Sequence, residues 1–217
     1  MITSMNSVNV LFLSAASVAF FHSLAPDHWV PFVALAKGAK WPMAKLGWIA
    51  FIAGVGHVLS SLLLGFLGLW LGLTLHRMEG TEAWRGSVGV WLLIGFGIAY
   101  ALWGLKHARH HHPHISVNEA VKMYLVRRMW ILFAIMVFGP CEPLIPLMFV
   151  ASKHGLATVW AMSLVFSVVT VAMVMGQSCL SYAGVKNLHA PWMDRYAHAL
   201  AGLVIALTGI LVLLLDI

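Results

Sequence analysis

Six apolar runs, each about as long as a helix that crosses a bilayer, take up nearly the whole chain: Val8 to Ala36, Leu46 to Leu75, Ser87 to Leu105, Tyr124 to Val150, Leu156 to Val185 and Tyr196 to Leu215. A helix needs about 20 residues to cross a hydrocarbon core of ~30 Å. In lipid the backbone must satisfy its own hydrogen bonds, and unbroken apolar runs of this length do so as helices. Of the 217 residues, 61% are hydrophobic and 9% charged, with a mean hydropathy of +0.91 that excludes a soluble globular domain. The expected fold class is an all-α integral membrane protein with six transmembrane helices.

The first run is too long for one straight span. About 28 helical residues measure ~42 Å, and Pro26 and Pro31 make a break the expected solution. No basic stretch precedes this run and no cleavage site lies before its polar cluster, so it counts as the first helix and not as a signal peptide.

Loops that stay in the cytoplasm keep an excess of Lys and Arg. With the N-terminus outside, the inner loops carry Lys37, Lys40, Lys45, Lys106, Arg109, Lys122, Arg127, Arg128, Lys186 and Arg195, which leaves only Arg77, Arg85 and Lys153 of the 13 basic residues on the other face. The expected location is the inner, cytoplasmic membrane, multi-pass, with both termini outside the cytoplasm. The net charge of +6 then reflects topology, and no nucleic-acid partner is expected.

Of the seven acids, Glu79, Glu82, Glu119, Asp194 and Asp216 are read as loop or span-end residues; Asp27 and Glu142 lie deep in apolar runs. Laying "PDHWVPFVALA" from Pro26 over "CEPLIPLMFVA" from Cys141 pairs Asp27 with Glu142, Pro31 with Pro146 and Ala36 with Ala151 without a gap. Three helices per half would make the second half enter from the opposite side, an inverted repeat with broken first and fourth helices of the kind transporters use. The expected division is residues 1–105 as one repeat, 106–123 as a cytoplasmic His-rich linker and 124–217 as the second repeat.

The stretch "HSLAPDH" puts His22, Asp27 and His28 where hydrocarbon is expected. On a regular helix Asp27 would lie ~140° and His28 ~240° around the axis from His22. Convergence therefore requires unwinding near Pro26. A buried polar cluster that glues helices together is the plain alternative. Ionisable groups at the bilayer centre cost about 2.5 to 3.5 kcal/mol each on insertion scales and usually mark a pathway. Imidazole with carboxylate is also a donor set for divalent transition metals. His57, between Gly56 and Val58 in "GVGHVLSS", is a further candidate, whereas Ser61, Gly65, Gly68 and Gly72 read as a small-residue packing stripe. Glu142 is the expected opposing acid. Its neighbour Cys141 is either a ligand or an inert core thiol, and Cys179 reads as core.

Between the third and fourth spans, "KHARHHHPHISVNEA" carries His107, His110, His111, His112 and His114, read as a cytoplasmic metal-collecting loop or as a solvated basic loop. The scattered methionines read as core filling. Trp41, Trp70, Trp84 and Trp192 read as an interfacial belt.

The spacing His22, four residues, Asp27, His28 resembles the H-x4-D-H signature of the nickel/cobalt transporter family. Gly56–His57 is similar to that family's G-H motif, and "FGPCE" at Phe138–Glu142 looks like a divergent counterpart of its later acidic motif. The chain departs from the signature in having Phe21 where the family has arginine and Ala25 where it has a second aspartate. With six helices in place of eight it looks closer to the compact efflux and urease-accessory branches of the superfamily. The resemblance implies a carrier for Ni²⁺ or Co²⁺ as substrate. The same superfamily contains thiol-disulfide carriers with a cysteine in each half, but here Cys141 aligns with Pro26.

The expected function is thus membrane carriage of a divalent transition metal, nickel or cobalt first, with proton exchange through Asp27 or Glu142, and no enzymatic activity. Two alternatives stand beside it: a membrane metal-binding accessory for metalloenzyme maturation such as that of urease, and an intramembrane metal-dependent hydrolase. The metal, the direction of transport and assembly into a homo-oligomer are left open.

Overall fold

The computed structural model describes residues 2–109, 130–137, 139, 141, 143–187 and 196–215, all helix and turn with no strand among them. Helix α1 (Ile2–Ser23) leads through a 3-10 turn (Pro26–His28) into the nine-residue α2 (Val30–Gly38). Then come α3 (Met43–Trp70) and α4 (Leu75–Arg109). A helical segment over 130–137, α5, precedes the short α6 (Leu144–Ser152), followed by α7 (Leu156–Val185) and α8 (Ala197–Leu215).

Four helices are long and apolar enough to cross a membrane: Met43–Trp70, Leu75–Ala108, Leu156–Val185 and Ala197–Leu215; the apolar part of α1, Val8–Ser23, is shorter. The side-chain pattern is that of a multi-pass membrane protein. On α3 the exposed residues include Ile52, Val55, Leu59, Leu63 and Leu67, while Ala50, Ala53, Gly54, Ser61, Gly65 and Gly68 are buried. Large apolar groups face outward because lipid solvates them as well as protein does, and small residues fill the interfaces because helices associate there by close packing.

Helix α3 packs on α7 and α4 on α8, and α1 also lies against α7. The α4–α8 contact is set by glycine: a β-carbon at Gly97, Gly104 or Gly202 would overlap backbone atoms of the facing helix. Helix α3 closes with Gly72 at φ 64°, where Leu73 N–H donates to Gly68 O and Gly72 N–H to Leu69 O, a left-handed cap that turns the chain into α4. A β-carbon on Gly72 would meet no described residue within 4 Å, so Gly72 serves that cap and not the packing stripe.

Three expectations need correction. Helix α4 begins at Leu75, well before Ser87, so Glu82 and Arg85 are not loop or span-end charges but buried helical residues. Ser61 is not merely small, because it bonds to both Glu82 and Cys141. Trp41 is no interfacial anchor: it is buried, and Tyr182 donates to its carbonyl at 2.6 Å.

Candidate metal centre

The break in the first apolar run follows from proline chemistry. In a continuing helix His22 O would accept from residue 26, but Pro26 has no N–H. Ala25 N–H takes its place at 3.2 Å and Leu24 N–H bonds Phe21 O at 3.1 Å, so the helix tightens and stops at Ser23. Leu24 O accepts from the Trp29 indole at 3.3 Å, and His28 N–H closes the 3-10 turn on Ala25 O. The freed backbone groups thus find partners inside the protein, as unwinding at membrane depth demands.

Unwinding brings the polar side chains together. His28 Nε2 lies 3.2 Å from His22 Nε2, and the two rings meet edge to face with centroids 4.6 Å apart. His57, from the middle of α3, stands 5.0 Å from the His28 ring and 6.0 Å from that of His22. Donor atoms from His22, His57 and Cys141, one from each, lie within 4.8 Å of one another, and His57 and Cys141 are fully buried.

The hydrogen bonds around this group select the ring nitrogens that face it. His57 Nδ1–H donates to Met136 O at 3.0 Å, which leaves Nε2 as a lone pair, and that buried atom has no hydrogen-bond partner among the described residues. His28 Nδ1–H donates to Asp27 Oδ1 at 2.7 Å, which leaves its Nε2 facing His22. A carbonyl or carboxylate on the far nitrogen is the usual outer partner of a metal-bound imidazole. Two imidazole nitrogens on one tetrahedral ion, each at about 2.0 to 2.1 Å, stand about 3.3 Å apart. The His22–His28 separation is close to this. Asp27 thereby acts on His28 rather than joining the three clustered donors.

His22, Asp27, His28 and His57 form the polar wall of a cavity of about 960 Å³. Its apolar lining includes Val90 and Leu93 of α4 and Val212 and Leu213 from the last turns of α8. Ala83 and Gly86 also line it, so on α4 the lining lies in the half that follows the α3–α4 turn, and on α8 at the C-terminal end.

The second break has the same logic. Met136 O would ordinarily accept from residue 140, which is proline, and His57 supplies the missing donor. Cys141, on the far side, is held by its own N–H on Ser61 Oγ at 3.0 Å. Glu142 lies outside the described residues, as do His110, His111, His112 and His114. His107 is described and is not part of the cluster. It sits exposed on the last turns of α4, stacked 5.1 Å from Trp103, about 27 Å along the helix from Gly89.

Sequence reasoning missed one group beside the site. Arg85 Nη1 pairs with Glu82, its Nη2 donates to Ser60 Oγ at 2.9 Å and to Val137 O at 3.1 Å, and Ser61 Oγ donates to Glu82 Oε2 at 3.2 Å. Opposite charges three residues apart, on a segment with helical continuity into the third run, were the available signal. His198, whose Nδ1 meets Tyr100 Oη at 2.8 Å, was also passed over. Comparison with family models, with curated proteins and with solved structures yields no match.

Proposed function

We propose that this protein is a membrane carrier for a divalent transition-metal ion, with Ni²⁺ or Co²⁺ as the first candidates. The observation that carries the reading is the convergence, inside an apolar bundle, of His22, His28 and His57 with the Cys141 thiol, where His57 Nε2 is buried without a partner among the described residues. An orphaned imidazole nitrogen amid three other soft or borderline donors costs free energy unless something binds it. Imidazole donors suit Ni²⁺, Co²⁺ and their neighbours in the first transition row, and one thiolate extends the range toward softer ions.

In this reading the chain crosses the membrane six times, as two inverted three-helix repeats. The broken helices α1–α2 and α5–α6 would be the first and fourth spans. Several features support it: nine-residue helices follow both breaks, α3 and α7 have similar lengths, and α3 packs on α7 as α4 does on α8. Both termini then lie outside the cytoplasm, and the cavity is in the half of the bundle nearer that side. Proton exchange would pass through Asp27 or Glu142.

The test is reconstitution into liposomes that hold a trapped metal indicator, with Ni²⁺, Co²⁺ and Zn²⁺ offered in turn. Saturable flux that disappears in His57→Ala supports the carrier. Stoichiometric binding without flux would favour the accessory reading, and neither binding nor flux would refute both.

A further inference from the structure

The Glu82–Arg85 pair is buried, with 2% and 10% side-chain exposure. Buried ion pairs give little net stability relative to well-packed apolar residues of the same shape, so stability alone does not account for one here. Its outward bonds are specific. Arg85 reaches Val137 O, the last described residue of α5, and Glu82 reaches through Ser61 Oγ to Cys141 N–H, beyond the break. Arg85 also binds Ser60 Oγ, which donates to the carbonyl of His57 at 2.8 Å.

These bonds replace what the helix loses. In a continuous helix Cys141 N–H would donate to Val137 O. Here the two groups are separated: Val137 O accepts from Arg85, and Cys141 N–H donates to Ser61. Gly139 packs against Gly89 of α4, where a β-carbon on Gly89 would stand 3.5 Å from Gly139 Cα. Both sides of the break are therefore fastened to α3 and α4, and the residue at the far fastening is the one whose thiol faces His22 and His57.

We infer that Glu82 and Arg85 form a clasp that positions the α5–α6 break and thereby holds Cys141 Sγ at the imidazole cluster. Neither residue touches the ion; they act through Ser60, Ser61 and the backbone. The role of the clasp in metal binding rests on the carrier reading above, but its hold on Cys141 does not.

The test has a metal-free arm and a metal arm, both on full-length protein in detergent with Cys179→Ala, so that Cys141 is the sole thiol. In the first, N-ethylmaleimide labels Cys141 slowly in the parent, and Arg85→Gln or Glu82→Gln raises the rate at least tenfold. Arg77→Gln, an exposed charge on the same helix, leaves it unchanged. Arg85→Lys, which keeps the charge but not the fork to Ser60 and Val137, gives an intermediate rate. Should the single variants fail to fold, Glu82→Leu with Arg85→Met removes the pair without a stranded charge, and fast labelling is again expected. In the metal arm, Co²⁺ bound to the parent gives a thiolate-to-cobalt charge-transfer band, which Arg85→Gln loses while retaining imidazole-bound Co²⁺. Slow labelling in a folded clasp variant, or an undiminished thiolate band, overturns the clasp. A parent that binds no Co²⁺ overturns the carrier reading instead, and the labelling rates still decide the clasp.

Discussion

Asp27→Asn tests whether the carboxylate orients His28 or binds the ion itself. The Asp27 side chain is 30% exposed and His28 4%, and their contact is a single 2.7 Å hydrogen bond. Asparagine keeps an acceptor for Nδ1–H but loses the charge. A hydrogen bond to a charged acceptor is worth about 1.5 to 3 kcal/mol and a neutral one about 0.5 to 1.5, so the substitution removes about 1 kcal/mol. An ion on His28 Nε2 would stand about 7 Å from the carboxylate. In a water-filled cavity, losing that attraction removes about 1 kcal/mol more. Together these weaken binding by about 30-fold, within the ~10- to 100-fold range of outer-shell partners of metal-bound histidine. The assay is Co²⁺ affinity by competition with a chelating dye, on the parent, Asp27→Asn, His28→Gln and the double variant. His28→Gln should lose more than Asp27→Asn, and adding Asp27→Asn to it should cost at most the ~1 kcal/mol of direct attraction, because the other half of the effect acts through the ring. Equal losses in the two single variants, or additive losses in the double, would refute the orienting role and make Asp27 a ligand in its own right.

The packing makes two further predictions. Gly202→Val should destabilise the fold by at least about 2 kcal/mol, because its side chain meets the backbone at Ala101, whereas Gly95→Ala, with open space around it, should be neutral or gain up to ~1 kcal/mol of helix propensity; thermal unfolding in detergent, followed by circular dichroism, separates them. Tyr182→Phe should cost about 1 to 2 kcal/mol in the same assay, since it leaves the Trp41 carbonyl without its 2.6 Å donor.

Much of the site was legible because proline and histidine carry local information. Pro26 removes a specific N–H, and the helical angles from His22 to Asp27 and His28 then require unwinding for convergence; α1 does end at Ser23, and the two imidazoles do meet. His57 was a candidate in the sequence, and the glycine before it leaves room for α5, where a β-carbon on Gly56 would collide with Val137. The Glu82–Arg85 pair was not legible as buried. Hydropathy averages over a window, and two charges that cancel each other three residues apart look the same at a span end as inside one.

The chain's composition and the lengths of its apolar runs were enough to require helices in lipid, because backbone polar groups have no other partner there. Proline positions were enough to locate where the helices fail. Which nitrogen of each histidine faces the cluster was decided only by tertiary contacts, Met136 O for His57 and Asp27 for His28, as was the burial of Glu82 and Arg85 against Ser60, Ser61 and the second break. The physical reason is range. A missing N–H or an unpaired apolar run is a property of a few consecutive residues, whereas the donor that replaces that N–H comes from whichever helix the fold brings alongside, here 79 residues away in sequence between His57 and Met136.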